Sequence, residues 1–295
     1  MTTGETPSFR YSYNLIGFGG EDVAISIERL ARLGYAAAEV EGEPETYDPA
    51  RIKRLTTEAG LGISSICPNF TPERDLSHPD PGVRAGAKEY ILQVCEFAAR
   101  LGSPPVIVAP TAYARTQPLA DPRDEWSWAV ESITEVGERA ASMGVDLSLE
   151  CWNRYGTHLL NRLEEGARMW RETGLENGGV MADTFHMNVE ESSLLGAIRN
   201  LGPLLNHVHL ADSNRLAPGL GHIEFAEILR TLVDIGYDGY LTFELIPTLP
   251  NLLDNRKSSE PSLDDVARQA IDHLRDGERD LAAAWQTGSE AFRDA

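Results

Sequence analysis

Short apolar, β-rich runs alternate with longer segments of helical periodicity along the chain. The first run, FRYSYNLIG, precedes a segment in which apolar residues recur at helical spacing, at Val23, Ile27, Leu30 and Leu33. Seven further runs, each with a helical segment behind it, are AAAEVEG, GISSICPNF, PPVIVAP, VDLSLECWN, GVMADTFHMN, NHVHLADSN and GYLTFELIP. Eight such strand–helix pairs favour an α/β fold closed into a (β/α)₈ TIM barrel over an open, doubly wound sheet.

The pattern predicts a single domain over residues 1–295, since barrels of about 250 residues commonly form one unit. Several helical segments end in a glycine, which suits the left-handed C-terminal cap of a helix: Gly34, Gly60, Gly144 and Gly236. Two segments depart from the alternation. Residues 246–262 are rich in Pro, Asn and Ser, and we expect an active-site cover loop there. Residues 286–295 are expected to form a C-terminal tail or a subunit contact.

Acidic residues outnumber basic ones by 46 to 26, which gives a formal net charge of −20. A field of that sign repels nucleic acid and anionic membrane surfaces, so we expect neither as a partner. The three cysteines, Cys67, Cys95 and Cys151, show neither metal-type spacing nor a disulfide framework, which favours a reducing compartment. The sequence has no signal-type N-terminal run and no apolar stretch of about 20 residues, and it therefore predicts a soluble, cytoplasmic protein.

The last four predicted strands each carry one ligand-type side chain at or near their carboxyl ends: Glu150, Asp183, His209 and Glu244. They are separated by 33, 26 and 35 residues, about one βα unit each time. Such positions converge at the top of a barrel. Any one of them alone is equally consistent with a salt bridge or a helix cap, but three carboxylates and an imidazole in register favour a cation. Oxygen-rich ligation with one histidine suits one divalent metal, Mn²⁺ first, with Mg²⁺ or Co²⁺ as alternatives.

Three motifs, ADTFHMNVEE, HVHLADSNRLAPGLGHIEF and IGYDGYLTFE, resemble the ketose 3-epimerases typified by D-tagatose and D-psicose 3-epimerase, within the xylose isomerase-like barrel superfamily. The resemblance covers nearly the whole chain. It implies a sugar substrate and the same four metal ligands. It also implies that His186 and Arg215 bind substrate and stabilise an enediolate. Glu150 and Glu244 would then be the opposed acid and base that invert the carbon, while the metal polarises the ketone.

Other positions carry weaker signals. Glu39, at the end of the second strand, resembles a substrate-binding glutamate or one that supports the site. Cys67 and Trp152 are expected to touch substrate or to line the pocket. His158 is expected to be structural, and His207 to point away from His209 toward the surrounding helices.

One position departs from the epimerase pattern. After Glu150 those enzymes read approximately Glu-x-x-Asn-Arg-Phe-Glu, whereas this chain has Gly156 in place of the last glutamate. Because glycine has no side chain, we expect either open space or a bound water there, and a pocket that accepts a larger or glycosylated sugar.

This difference leaves other reactions open: sugar isomerisation, and a lyase or hydrolase such as an inosose-type dehydratase or a C-glycoside-cleaving subunit. A non-catalytic sugar-binding subunit is disfavoured, and so is an endonuclease, because of the acidic charge. Kinship implies a homo-oligomer, with association to a different subunit left open.

Overall fold

Eight parallel strands close into a barrel in chain order, in a computed structural model that describes residues 8–246 and 262–287. The strands are β1 (Arg10–Asn14), β2 (Ala37–Glu41), β3 (Gly62–Cys67), β4 (Val106–Val108), β5 (Leu147–Leu149), β6 (Gly178–Asp183), β7 (Leu205–Leu210) and β8 (Tyr240–Phe243). Pairing of β1 with β8, for example Tyr13 with Phe243, closes the ring. The predicted single-domain (β/α)₈ barrel is confirmed.

Helices surround the strands. They are α1 (Val23–Leu33), α2 (Pro49–Ala59), α3 (Pro81–Leu101), α4 (Pro122–Ser142), α5 (Leu163–Thr173), α6 (Thr184–Glu190), α7 (Leu194–Leu201), α8 (Phe225–Asp234) and α9 (Leu263–Thr287). Three of them begin with an Asp-Pro pair, as at Asp48-Pro49. The aspartate accepts a hydrogen bond from the backbone N–H two residues on, and proline fits the first helical turn. As predicted, α1 and α2 end at Gly34 and Gly60 with positive φ.

The segment after β6 differs from a plain strand–helix pair. It carries two helices, and α6 begins directly behind Asp183, whose side chain caps it. Of the predicted cover loop, residues 247–261 lie outside the described residues. In the predicted tail, residues 286–287 continue α9, and residues 288–295 lie outside the described residues.

The main hydrophobic core lies between the strands and the helices, whereas the barrel interior is largely polar. Ser12 and Ser64 hydrogen-bond across the interior at 2.7 Å between their Oγ atoms. A separate apolar cluster of Cys67, Ile107 and Met181 fills part of the same space. Ionisable side chains on the strands are therefore held inside a closed ring. Within residues 8–246 and 262–287, the helices are all too short or too polar to cross a membrane.

Candidate active site

The four predicted metal ligands converge at the carboxyl-terminal end of the barrel. Glu150 follows β5, Asp183 ends β6, His209 lies in β7 and Glu244 follows β8. One donor atom from each lies within 4.8 Å of the others, and all but Glu244 are buried. Three carboxylates around one imidazole form a donor set that suits a hard or borderline divalent cation. The residues present therefore fit such an ion.

Arg215 balances part of this negative charge. Its Nη1 atom lies 2.8 and 2.7 Å from the two carboxylate oxygens of Asp183, and its Nη2 atom contacts Glu244. Arg215 is buried and has a φ of 63°, a left-handed conformation that is strained for a non-glycine residue. Its N–H donates to the carbonyl of Asp212, and its carbonyl accepts from the N–H of Ile246. The predicted substrate-binding arginine thus lies against two of the ligand carboxylates.

Asp183 is fixed by its position at a helix start. Its Oδ1 atom accepts hydrogen bonds from the backbone N–H groups of Phe185, at 2.8 Å, and His186, at 3.2 Å. Burial alone would raise the pKa of this carboxyl, but the charge of Arg215 and the contact with His209 outweigh burial and hold the pKa well below its usual range. Asp183 therefore stays ionised and oriented, as a metal ligand requires.

Glu150 is electrostatically different from Asp183. Burial raises the pKa of Glu150 to about 7; His209 opposes that rise and the nearby carboxylate of Asp183 adds to it. Glu150 is thus held less firmly in its ionised form than Asp183, and a positive charge placed beside it would favour the carboxylate.

Glu244 is held by a residue that the sequence analysis missed. Asn14, the last residue of β1, is fully buried, and its Nδ2 donates to Glu244 Oε1 at 3.1 Å. Its Oδ1 accepts from the N–H of Ile16, which fixes the amide orientation. The signal was present in the sequence, because Asn14 is a polar residue at a strand end, like the four ligands.

His207 and Glu39 both lie inside the barrel. The expectation that His207 points toward the helices was wrong, because alternation along a strand has a period of two and therefore puts residues 207 and 209 on the same face. The Nε2 atoms of His207 and His209 each lie 2.9 Å from Glu39 Oε2. Glu39 is fully buried, and the imidazoles hold its pKa below the usual range although burial opposes them.

His186 is held in one tautomer by the loop after β5. The backbone N–H of Asn153, at 3.1 Å, and its side-chain amide, at 3.0 Å, both face His186 Nδ1. Nδ1 must accept the backbone hydrogen bond, so the proton of the neutral ring lies on Nε2. Burial lowers the pKa of His186 to about 4. At neutral pH His186 is therefore an uncharged donor, with Nε2 lying 3.9 Å from Asp183 Oδ2.

Trp152 and Cys67 border the site. Trp152 is 8% exposed, and its side chain interacts with the carboxylate of Glu150, two residues earlier in the chain. Its ring packs edge-on against Phe70 and Tyr113. Cys67 is buried at the end of β3, where burial raises the pKa of its thiol. A protonated thiol at this position offers packing surface and no nucleophile.

The space predicted beside Gly156 is occupied. A side chain starting at this position would place its Cβ 3.1 Å from Trp152 Cβ and 3.2 Å from the ring of Tyr113. Tyr113 is nevertheless 58% exposed, and Tyr155 is 73% exposed. In place of a carboxylate, this part of the rim therefore presents aromatic surface.

A buried charge network ties the loops after β3, β4 and β5 together. Arg115 donates to Asp75 at 2.6 Å and to Glu125 at 2.8 Å, and Glu125 also contacts His158 Nε2 at 2.7 Å. Both carboxylates are fully buried. His158 belongs to this network through Glu125 and the carbonyl of Arg115. Breaking such a network would leave a buried charge without a partner, so the three loops are held in fixed positions relative to one another. Tyr113 lies in the loop after β4, two residues before Arg115, and is therefore held with them.

The sequence and the fold are similar to those of known proteins. A family model, the xylose isomerase-like TIM barrel, matches residues 27–277. The D-psicose 3-epimerase of Ruminiclostridium cellulolyticum is 36% identical over 76% of this chain and 78% of its own length. The L-ribulose 3-epimerase of Mesorhizobium japonicum is 33% identical over 68% of each chain. The crystal structure of D-psicose 3-epimerase with D-tagatose from Clostridium cellulolyticum H10 superposes with a TM-score of 0.76, at 28% identity, over 97% of this chain and 100% of that one.

Proposed function

The chain belongs to the xylose isomerase-like TIM barrel family and is an enzyme, and from that premise we propose that it is a divalent-metal-dependent ketose 3-epimerase. The observation that carries the proposal is the convergence of Glu150, Asp183, His209 and Glu244 within 4.8 Å. We take these four residues as the ligands of one divalent ion, with Mn²⁺ preferred over Mg²⁺ or Co²⁺ because the donors combine oxygen with one imidazole. The bound ion would supply positive charge beside the ketone oxygen and so acidify the neighbouring C–H.

The protein's own residues would move the proton. Glu150 would remove the hydrogen from C3, and Glu244 would return one to the opposite face, since both carboxylates lie in the same cluster beside the metal. Asn14 would keep Glu244 aimed during this transfer. The result is inversion at C3 through an enediolate, with no net oxidation or reduction.

Two further residues would stabilise the negative charge that develops on the substrate oxygen. His186 is a neutral Nε2–H donor, so it can hydrogen-bond to that oxygen without acting as a strong acid. Arg215, in the loop after β7, would bring a fixed positive charge beside Asp183. Trp152 and Cys67 would line the pocket.

A second candidate function is a lyase or hydrolase acting on a keto sugar that carries a leaving group, as an inosose-type dehydratase or a C-glycoside-cleaving subunit would. Its support is the rim at Gly156, where the epimerase pattern has a carboxylate and this chain presents the ring of Tyr113. An aromatic surface suits an apolar substituent better than it suits sugar hydroxyls. The enolate chemistry at the metal ligands would be shared.

Incubation of chelator-treated protein in D₂O, with and without Mn²⁺, tests both candidates. The substrates offered are ketohexoses, ketopentoses and 3-keto glycosides, and NMR measures deuterium incorporation and product formation. For an epimerase we expect deuterium at C3 of a ketose together with a new epimer, dependent on Mn²⁺ and lost in Glu150→Gln and Glu244→Gln. Release of water or an aglycone from a keto sugar, without exchange on free ketoses, would move the assignment to the lyase.

The proposal extends to compartment and assembly. The three cysteines are free and buried, which suits a reducing, cytoplasmic setting. A homo-oligomer is expected from kinship with the epimerases, and association with a different subunit is the alternative. Sedimentation of the purified protein, alone and after co-purification from its source, measures which of them forms.

A further inference from the structure

A second group of potential metal ligands lies inside the barrel, sharing His209 with the first. It consists of Glu39, His207 and His209, all buried. Glu39 lies on β2 and the two histidines lie on β7, so the contact spans the barrel interior. Ser65 on β3 also hydrogen-bonds to Glu39 Oε2. The other carboxylate oxygen, Oε1, is buried without a partner. An ionised carboxylate with one unsatisfied oxygen is costly to keep in a core.

The geometry at His209 gives this carboxylate a role. His209 Nε2 lies 2.9 Å from Glu39 Oε2, and the other ring nitrogen, Nδ1, lies 3.2 Å from Glu244 Oε2 and 3.7 Å from Asp183 Oδ2. A neutral imidazole has one N–H and one lone pair. With the N–H on Nε2 and donated to Glu39, the lone pair of Nδ1 faces the other ligands, as a cation there requires.

We infer that Glu39 is a positioning residue for the metal ligand His209, which it holds in the Nε2–H tautomer with Nδ1 aimed at the site. His207 and Ser65 in turn hold Glu39, since each places a polar atom on the same Oε2. The carboxylate also makes the imidazole a stronger donor to a cation. Of the two roles expected for Glu39 from the sequence, this inference favours support beneath the metal ligands over contact with substrate. It rests on the proposed function only in treating the upper four residues as a metal site.

A second cation held by Glu39, His207 and His209 is the competing explanation. It would require His209 to use both ring nitrogens as ligands and therefore to lose its last ring proton. It would also replace the hydrogen bonds that His207 and His209 make to Glu39 Oε2. The hydrogen-bonded arrangement needs neither change, so the structure favours one ion per chain.

Glu39→Gln tests the inference, with Glu125→Gln as the matched control. Glu125 is likewise a fully buried carboxylate bonded to a histidine, but it lies in the loop network away from the metal ligands. Calorimetric titration with Mn²⁺ gives affinity and stoichiometry without substrate. We expect one Mn²⁺ per wild-type chain, binding about 10- to 100-fold weaker in Glu39→Gln, and affinity within about twofold of wild type in Glu125→Gln. Ser65→Ala, a milder change, should weaken binding by less than Glu39→Gln.

A spectroscopic readout on the wild-type protein tests the tautomer directly, with a variant used only to assign the signal. In ¹⁵N-histidine-labelled protein loaded with diamagnetic Mg²⁺, the signal that disappears in His209→Gln should show a single ring proton, on Nε2. A proton on Nδ1, two Mn²⁺ ions per chain, or unchanged affinity in folded Glu39→Gln would each overturn the inference. Wild-type protein that binds no divalent ion would contradict the proposed function as well, whereas tight binding without epimerase activity would contradict only that function.

Discussion

Asn14→Ala should slow catalysis far more than it destabilises the fold. The substitution removes the 3.1 Å hydrogen bond from Nδ2 to Glu244 Oε1, a bond to a charged acceptor worth about 1.5 to 3 kcal/mol. If that energy orients the base in the transition state, kcat falls about 10- to 100-fold with little change in KM. Loss of the bond to the N–H of Ile16 should cost about 1 kcal/mol of folding free energy, and so lower Tm by about 2 °C.

Asn177→Ala is the control. Its Nδ2 donates to the carbonyls of Gly137, at 3.0 Å, and Val145, at 3.1 Å, beside the start of β6 at the opposite end of the barrel. We expect a similar fall in Tm and an unchanged kcat. The assay is C3 exchange in D₂O at saturating Mn²⁺, alongside calorimetric melting. A kcat for Asn14→Ala within twofold of wild type, or equal slowing by both variants, would refute the role given to Asn14.

Three further predictions follow from the same geometry. Removing the metal with EDTA should abolish activity and lower Tm by about 4 °C relative to protein with Mn²⁺ at 100 times Kd, where binding adds about 2.7 kcal/mol; an unchanged Tm would argue against the site. The Arg115 contact lowers the pKa of Glu125 although burial opposes it, so stability is lost as pH falls through the folded pKa. Tm measured from pH 7 to pH 3 should therefore fall more steeply for wild type than for Glu125→Gln. Tyr113→Ala should raise KM about 2- to 10-fold for keto glycosides with an apolar aglycone and leave free ketoses unchanged, and equal effects on both would contradict the role of the rim.

The barrel and the convergence of the four proposed ligands could be predicted because both depend on local pattern. A strand–helix alternation fixes the order of the strands. The carboxyl ends of the strands of a closed barrel lie at one face, so residues such as Glu150 and Glu244 come together independently of loop conformation. The same rule would have found Asn14 had it been applied to β1.

Contacts across the interior could not be predicted in this way. Whether Glu39 on β2 reaches His207 on β7 depends on the stagger of the closed sheet, which no single strand encodes. Loop packing is equally non-local. The sequence shows that Gly156 lacks a side chain. The contact of the Tyr113 ring with this position depends on how the loops after β4 and β5 pack against each other, which the sequence pattern does not show.

The buried network around Arg115 sets how this enzyme's selectivity can be changed. Asp75, Glu125 and His158 come from different parts of the chain and depend on one arginine, so exchanging a single loop with a homologue would leave a charge stranded in the interior. Loop grafts intended to change selectivity should therefore transfer all three segments together. We expect homologues to follow the same constraint, so that Arg115 and its three partners are either all retained or all replaced together.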